Sequence, residues 1–412
     1  MIHERSGTGA TRHRCPAPDP FLQKDSRRMS KQPPIAGADP KDRYAQIPQP
    51  EAELLRLYGD HTLAFFGLAP KNRHFLASGG SGLVNYQLMH KVAVVLGDPV
   101  CAPEAHEHVA RRFLDFCALH RWRVAFYQAA PGRLAAYRSL HLRAFKMGEE
   151  AILHPQTFTL RGSALANVRT SCRRAEREGV DIQWYEGAPP VDVMQHLEDI
   201  TGVWLGQKAR KQAEERGFGM GRVDELTESA EQAEMIATIS TPASVLPLAA
   251  PRLLTAVAKT SAGQPCAFVT FTPIYGCFAS EVTVPGRQSE MQGWGWTLDL
   301  MRRVPNAPPG VMELLLVRAM ERFRVCGAHR VSLGLVALAD SRQEMTAAGR
   351  ALARFVTDRT ALLGPSRTLF AFKRKFDPCW ESRYLVANTT LGLPNIMRAA
   401  LKLRNSSGDG QD

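Results

Sequence analysis

At 412 residues, 44% of them hydrophobic, the chain exceeds one usual single-core domain and has the apolar content for two cores, so two domains of roughly 150 to 200 residues are expected. Lys and Arg outnumber Asp and Glu by 52 to 40, a formal charge of +12, which favours an anionic partner: nucleic acid, acidic lipid headgroups or a phosphorylated substrate. The eight cysteines are scattered without a CxxC pair, the twelve histidines show no ligand spacing, and no apolar run reaches about 18 residues; a metal framework, a disulfide scaffold and a membrane-spanning helix are not expected, and a reducing compartment fits.

Residues 1–45 are rich in Pro, Gly, Arg and Lys and read as a disordered basic arm. The first twenty have no apolar core, so no signal peptide is expected, and Met29 is an alternative start. Order begins near Ala52. Segments 84–89 and 92–96 read as paired strands around His90-Lys91. Gly97-Asp98-Pro99 ends the second, because proline restricts the residue before it and cannot donate to a ladder. The spacing of Val109, Phe113, Phe116 and Cys117 predicts a helix over 106–120. A strand at 124–127, a short helix at 134–140 and a strand at 144–151 complete a first α/β unit, residues 46–160.

A second unit, residues 161–390, opens with a helix over 164–178. On it Arg169, Arg173 and Arg177 stand four apart and form one basic stripe, with Arg174 beside it. Glu176 and Glu178 dilute the stripe, so an ordinary charged surface competes with a binding face. A strand at 182–184, a charged and mainly helical stretch over 191–218, a hairpin of 253–258 and 267–272 joined through Ser261-Ala262-Gly263, and strands at 278–282 and 296–300 follow.

Residues 294–310 are the most informative stretch. A short apolar strand delivers Asp299, Arg302 and Arg303 into a Pro/Gly-rich loop, and a helix over 311–323 follows at once. Two guanidiniums beside the exposed N–H groups of a helix start suit a phosphate or carboxylate; a turn with surface arginines is the competing reading. A strand at 331–335 and a helical or partly looped stretch at 340–360 lead to a basic-aromatic strand, where alternation puts Lys373 and Lys375 on one face and Arg374 on the other. Residues 391–412 form an amphipathic basic tail that suits a membrane interface or a dock on the core. Strand pair, Arg-bearing loop, helix and strand, in that order, match a GNAT-type acyltransferase domain.

Several blocks carry a family likeness in order and spacing: Gly97-Asp-Pro-Val100, Lys146-Met-Gly-Glu-Glu-Ala151, Arg173-Arg-Ala-Glu-Arg-Glu-Gly179, Trp204-Leu205 with Glu215-Arg-Gly-Phe-Gly-Met-Gly221, the Leu298-Asp-Leu-Met-Arg302 run with its Pro/Gly loop, Val311-Met-Glu-Leu-Leu-Leu316, and the terminal element from Phe372 to Leu385. Across residues 55–390 the chain resembles the soluble catalytic region of bacterial aminoacyl-phosphatidylglycerol synthases, the lysyl- or alanyl-phosphatidylglycerol transferases of the multiple peptide resistance factor family. The resemblance implies an α/β fold of tandem GNAT-like acyltransferase domains, each a mixed sheet with flanking helices. It implies transfer of an aminoacyl group from aminoacyl-tRNA to the headgroup hydroxyl of phosphatidylglycerol; no cofactor and no metal are expected. Full-length members also carry a multi-helix membrane domain that flips the product. This chain lacks it, so a cytoplasmic enzyme, peripheral on the inner face of the membrane, is expected.

By the same resemblance, Asp299 and Arg302 match the family's Asp-x-x-Arg pair. Arg302 is expected to contact a phosphate or the donor end, and Asp299 to orient the nucleophile or hold the α-amine; a structural ion pair is the alternative. Glu215 matches an acidic residue ahead of the Gly-Phe block and suits an aminoacyl ammonium, or else lies on a solvated helix face. Lys373 and Lys375, with Arg303 and Arg383 nearby, are expected to bind substrate, either the lipid phosphate or the tRNA end; lysines guarding an edge strand are the alternative. Arg169, Arg173, Arg174 and Arg177 form the expected tRNA-binding set, reading an acceptor stem by shape.

The chain departs from the family at 360–367, where the usual Gly-Glu block is missing. This counts against lysine and leaves alanine or another small neutral aminoacyl group open. A transferase of the same fold with another lipid or a cell-wall precursor as acceptor, and a non-catalytic nucleic-acid-binding protein, are the competing functions. Glu290 stands where acetyl-CoA enzymes place a Gln or Arg, which argues against acetyl-CoA as donor.

Overall fold

The computed structural model describes residues 49–209, 221–239, 250–276, 294–337 and 366–388. The first elements are helix α1 (Gln49–Tyr58), strands β1 (Arg73–Leu76), β2 (Gly82–Met89), β3 (Val92–Leu96) and β4 (Val100–Cys101), helix α2 (His106–Leu119), strand β5 (Arg123–Ala129), helix α3 (Leu134–Ser139) and strand β6 (Arg143–Leu153). Then come α4 (Ala166–Arg177), β7 (Asp181–Glu186), α5 (Val191–Ala209), α6 (Leu226–Thr238), β8 (Leu254–Lys259), β9 (Pro265–Ile274), β10 (Gly295–Arg303), α7 (Val311–Val325), β11 (Arg330–Ala337), α8 (Ser366–Arg374) and β12 (Cys379–Ala387).

These strands join one mixed sheet in the order β1-β2-β3-β5-β12-β6-β11-β10-β9-β8-β7, with β4 paired to β2. Among the described residues only β3–β5 and β10–β11 are parallel. A parallel pair needs a crossover, and α2 and α7 lie on the two connections. The expected hairpin of β2 and β3 turns through His90 and Lys91, both at positive φ (48° and 61°), as a tight two-residue turn requires. Strand β12, the last among the described residues, inserts between β5 and β6, antiparallel to both.

Helices cover both faces. α4 and α7 bury one face of β8–β11, with Val168, Cys172, Leu315 and Phe323 among the contacts. α1, α5 and α6 gather on the opposite face around Leu55, Leu197, Ala233, Phe268 and Leu300. α2 and α3 cover β1–β5 through Phe113, Phe116 and Tyr137. Asp98 draws the turn after β3 into this layer: it accepts hydrogen bonds from the Tyr137 hydroxyl (2.7 Å) and the Ala130 N–H (2.9 Å).

The structure departs from the sequence reading at three elements. β10 runs on through Arg303, so both arginines stand in the strand and not in the loop. Residues 366–374 form α8, not a strand: Leu369, Lys373 and Phe376 are buried at a spacing of four and three, a helical period. α6 was not expected, because the small Ala230 and Ala233 hold core positions and blunt its apolar contrast. The arm 1–45, the segments 278–282 and 340–360, and the tail 391–412 lie outside the described residues.

One buried ion network ties three neighbouring strands. Arg383 of β12 donates to Glu150 of β6 (2.6 Å) and to Glu381 (2.7 Å), and the Ser332 hydroxyl of β11 donates to the other oxygen of Glu150. Burial pushes the Glu150 carboxyl upward, but the charges of Arg383 and Arg330 and the bonds from Ser332 and Arg383 outweigh it and hold the group below its ordinary value. A carboxyl depressed by folding adds stability above its unfolded value, and that stability is lost as pH falls through the folded one. Glu150→Gln is therefore expected to lower unfolding free energy by about 3 kcal/mol near neutral pH, since it leaves Arg383 with Glu381 alone. It should also flatten the acid limb of a stability profile below about pH 4.3, as measured by urea denaturation.

Candidate functional site

The parallel strands β10 and β11 pair only at Gly295–Arg330, Trp296–Val331 and Thr297–Ser332. Beyond that point each strand is irregular against its other neighbour: β10 between Leu298 and Met301, β11 between Ser332 and Leu335. Such bulges bend a strand and raise its twist. Where the two strands part lies a small cavity, with about 20 Å³ of free space inside it. Residues 298–302 of β10 form one wall; Leu333 of β11, Trp204 of α5, and Leu369 and Lys373 of α8 complete it.

The charged groups of this cavity are nearly sealed from solvent: Asp299 is 6% exposed, Arg302 2% and Lys373 2%. Each is held by a named contact. The Gly221 N–H donates to Asp299 Oδ1 at 3.0 Å, and a Cβ at Gly221 would land on Oδ2, so only glycine permits this seat. Arg302 Nη1 donates to Thr201 Oγ1 at 2.8 Å, and its guanidinium lies over the Trp204 ring, 5.0 Å from the centroid. Lys373 Nζ donates to the carbonyls of Gly334 (2.9 Å) and Leu335 (3.4 Å). Among the described residues, two cations and one carboxylate line this low-dielectric recess, a positive surplus that suits an anionic ligand.

The other expected site residues lie elsewhere. Arg303 follows Arg302 in the strand and is exposed. Lys375 lies just past α8 and pairs with Glu313 of α7 at 2.8 Å, so it does not share a strand face with Lys373. Arg383 is taken up by Glu150 and Glu381. Glu215 lies outside the described residues. On α4, Arg169 turns back to the carbonyls of Leu160 and Gly162, and Arg174 pairs with Glu178 at 3.2 Å. Arg173 and Arg177 are exposed and line an open depression with Thr170 and Glu176.

The start of α7 is not the exposed anion site that the sequence suggested. Gly310 has φ 88°, and a Cβ there would overlap the carbonyl oxygen of Ser171 on α4, so the helix start is packed against a neighbour. Sequence reasoning missed Thr201 and Leu369, and it did not connect Gly221 to Asp299. The three-residue spacing of Thr201 and Trp204, which puts them on one helix face, was the available signal. Among the described residues no group of three or more His, Cys, Asp or Glu is placed to hold a metal ion, and no helix is long and apolar enough to cross a membrane.

Comparison with known proteins gives one consistent result. A family model described as "Phosphatidylglycerol lysyltransferase, C-terminal" matches residues 52–387. The phosphatidylglycerol lysyltransferase of Bacillus subtilis (strain 168) is 26% identical over 363 residues, covering 87% of this chain and 37% of that protein. The chain thus spans little more than a third of that relative's length. The structure of L-PGS from Bacillus licheniformis is similar with a TM-score of 0.66 at 25% identity, over 87% of this chain and 97% of that one. The C-terminal domain of a putative lysylphosphatidylglycerol synthetase from Agrobacterium fabrum shares the fold, with a TM-score of 0.60 at 22% identity over 86% and 95% of the two chains.

Proposed function

The chain belongs to the phosphatidylglycerol lysyltransferase C-terminal family, and from that premise we propose that it transfers an aminoacyl group from aminoacyl-tRNA to the headgroup hydroxyl of phosphatidylglycerol. The reaction exchanges one ester for another. The lipid hydroxyl attacks the aminoacyl carbonyl carbon, a new C–O bond forms, the bond to the tRNA ribose oxygen breaks, and that oxygen takes up the proton. No oxidant, metal or second cofactor is needed for the balance. The chemistry calls for a carboxylate to align the hydroxyl, donors for the tetrahedral oxyanion, and cations for the headgroup phosphate.

The observation that carries this reading is the convergence of Asp299, Arg302 and Lys373 on one cavity. In this proposal Asp299, seated on the Gly221 N–H, aligns the attacking hydroxyl. Arg302 and Lys373 offset the negative charge of the headgroup and of the developing oxyanion. Glu215 is assigned to the aminoacyl ammonium on its sequence position alone. The exposed Arg173 and Arg177 of α4 are assigned to the tRNA backbone, and the formal charge of +12 favours approach to an anionic bilayer surface from the cytoplasm. The matching architecture is a pair of GNAT-like units, 46–160 and 161–390, that share one sheet and exchange β12 of the second into the strands of the first; its support is that each half contributes one parallel strand pair with a helix on the crossover.

Purified protein, phosphatidylglycerol vesicles and a pool of tRNA charged with radiolabelled amino acids test the reading. Labelled lipid is expected, abolished by RNase. Asp299→Asn should reduce turnover at least about 100-fold with folding retained, the scale of a lost acid–base group. No labelled lipid from any amino acid, with phosphatidylglycerol or with a total lipid extract, would sink the proposal.

Gly221→Ala, whose Cβ displaces the Asp299 carboxylate, should approach the loss seen for Asp299→Asn; wild-type turnover would detach Gly221 from the site. Arg173→Ala and Arg177→Ala are expected to raise KM for charged tRNA and to flatten its salt dependence by about one unit of log–log slope per lost phosphate contact. An unchanged slope would remove α4 from the RNA surface.

A further inference from the structure

Arg302 is held from the side of α5, by a pair of residues one turn apart. Thr201 accepts a hydrogen bond from Nη1 at 2.8 Å, and Trp204 lies against the guanidinium at 5.0 Å. Trp204 lines the cavity, whereas Thr201 does not. The two contacts constrain different degrees of freedom. The hydroxyl fixes one edge of the planar group, and the ring fixes its plane. Thr201 is 8% exposed and lies next to Ile200, which packs in an apolar cluster with Leu197 and Leu300. For packing alone a valine would serve there, and threonine is no better as a helix former. A threonine inside a helix also commonly turns its hydroxyl back to its own backbone; here the hydroxyl is bonded to a side chain 101 residues away.

We propose that Thr201, together with Trp204, is a positioning residue: α5 sets the orientation in which Arg302 meets the phosphate or oxyanion of the bound substrate. This inference rests on the transfer reading above. It assigns to α5 a task that charge and cavity shape alone do not reveal. It also makes Arg302 a directed donor, not a diffuse positive charge.

The test uses the full chain, phosphatidylglycerol vesicles and charged tRNA, with Thr201→Val and Thr201→Ser. Valine keeps the shape and removes the hydroxyl; serine keeps the hydroxyl. The expected result for Thr201→Val is a fall in kcat of about 10-fold, with KM for both substrates within about two-fold and an unchanged thermal midpoint, as for loss of a hydrogen bond to a charged group that matters in the transition state. Thr201→Ser should recover most of kcat. Wild-type kcat in Thr201→Val overturns the inference and leaves the transfer reading standing. So does a loss that serine fails to restore, or one that tracks a lowered midpoint. A wild-type protein that labels no lipid overturns the transfer reading, and this inference with it.

Discussion

Between β10 and β11 the backbone ladder ends at Thr297 and Ser332, and the polar groups released there need other partners, because a buried N–H or C=O without one is costly. Side chains take up groups freed at the irregular positions on both sides: the Leu300 N–H, at the bulge of β10 against β9, donates to the Thr270 hydroxyl, the Gly334 N–H to the Ser332 hydroxyl, and the carbonyls of Gly334 and Leu335 accept from Lys373. The groups that repair the interrupted ladder therefore stand beside those that face the cavity. Lys373 belongs to both sets, and its bonds to these two carbonyls help to hold an ammonium in so buried a place.

The repair is also tied to the buried ion network. Ser332 accepts from Gly334 at the bulge and donates to Glu150, which in turn holds Arg383. Buried charges of this kind contribute little net stability when complete and cost much when broken. Their effect here is geometric: β6, β11 and β12 are fixed in register at the level where β10 turns away. The wall that carries Asp299 and Arg302 thus faces a rigid partner. α5 and the Gly221 backbone then hold the two charged groups from the other side.

Elements with a clean period were legible in the sequence. The paired strands 84–89 and 92–96 and the helices 106–120 and 311–323 stand within a few residues of their expected ends, because each buries one regular stripe or a continuous apolar run. The sequence failed where a charged residue sits inside. Arg302 looked like a loop residue because a guanidinium in a central strand is improbable until Thr201 and Trp204 are known to cover it. Lys373 looked like one face of a strand because its helical neighbours, Leu369 and Phe376, are few and mixed with cations. Arg383 and Lys375 were read as free charges; their partners, Glu150 and Glu313, lie 233 and 62 residues away. Asp299, Arg302 and Lys373 could be nominated by resemblance, but their joint placement depends on strand splay, which leaves no local mark in a sequence.

The position of β12 has a further consequence for how the molecule is made. Residues 379–387 fill the gap between β5 and β6, with Ala125 facing Ala387 across the chain. During synthesis, then, the N-terminal strands leave the ribosome long before the strand that separates them. Until it arrives, β5 and β6 each present an open edge, the kind of surface that pairs with the wrong neighbour. Contacts so distant along the chain form slowly, and the exposed intermediate is aggregation-prone while they do. The sheet is closed from its centre by the last of its described strands, so a nascent chain cut short of residue 379 lacks the middle of its sheet and not merely an end.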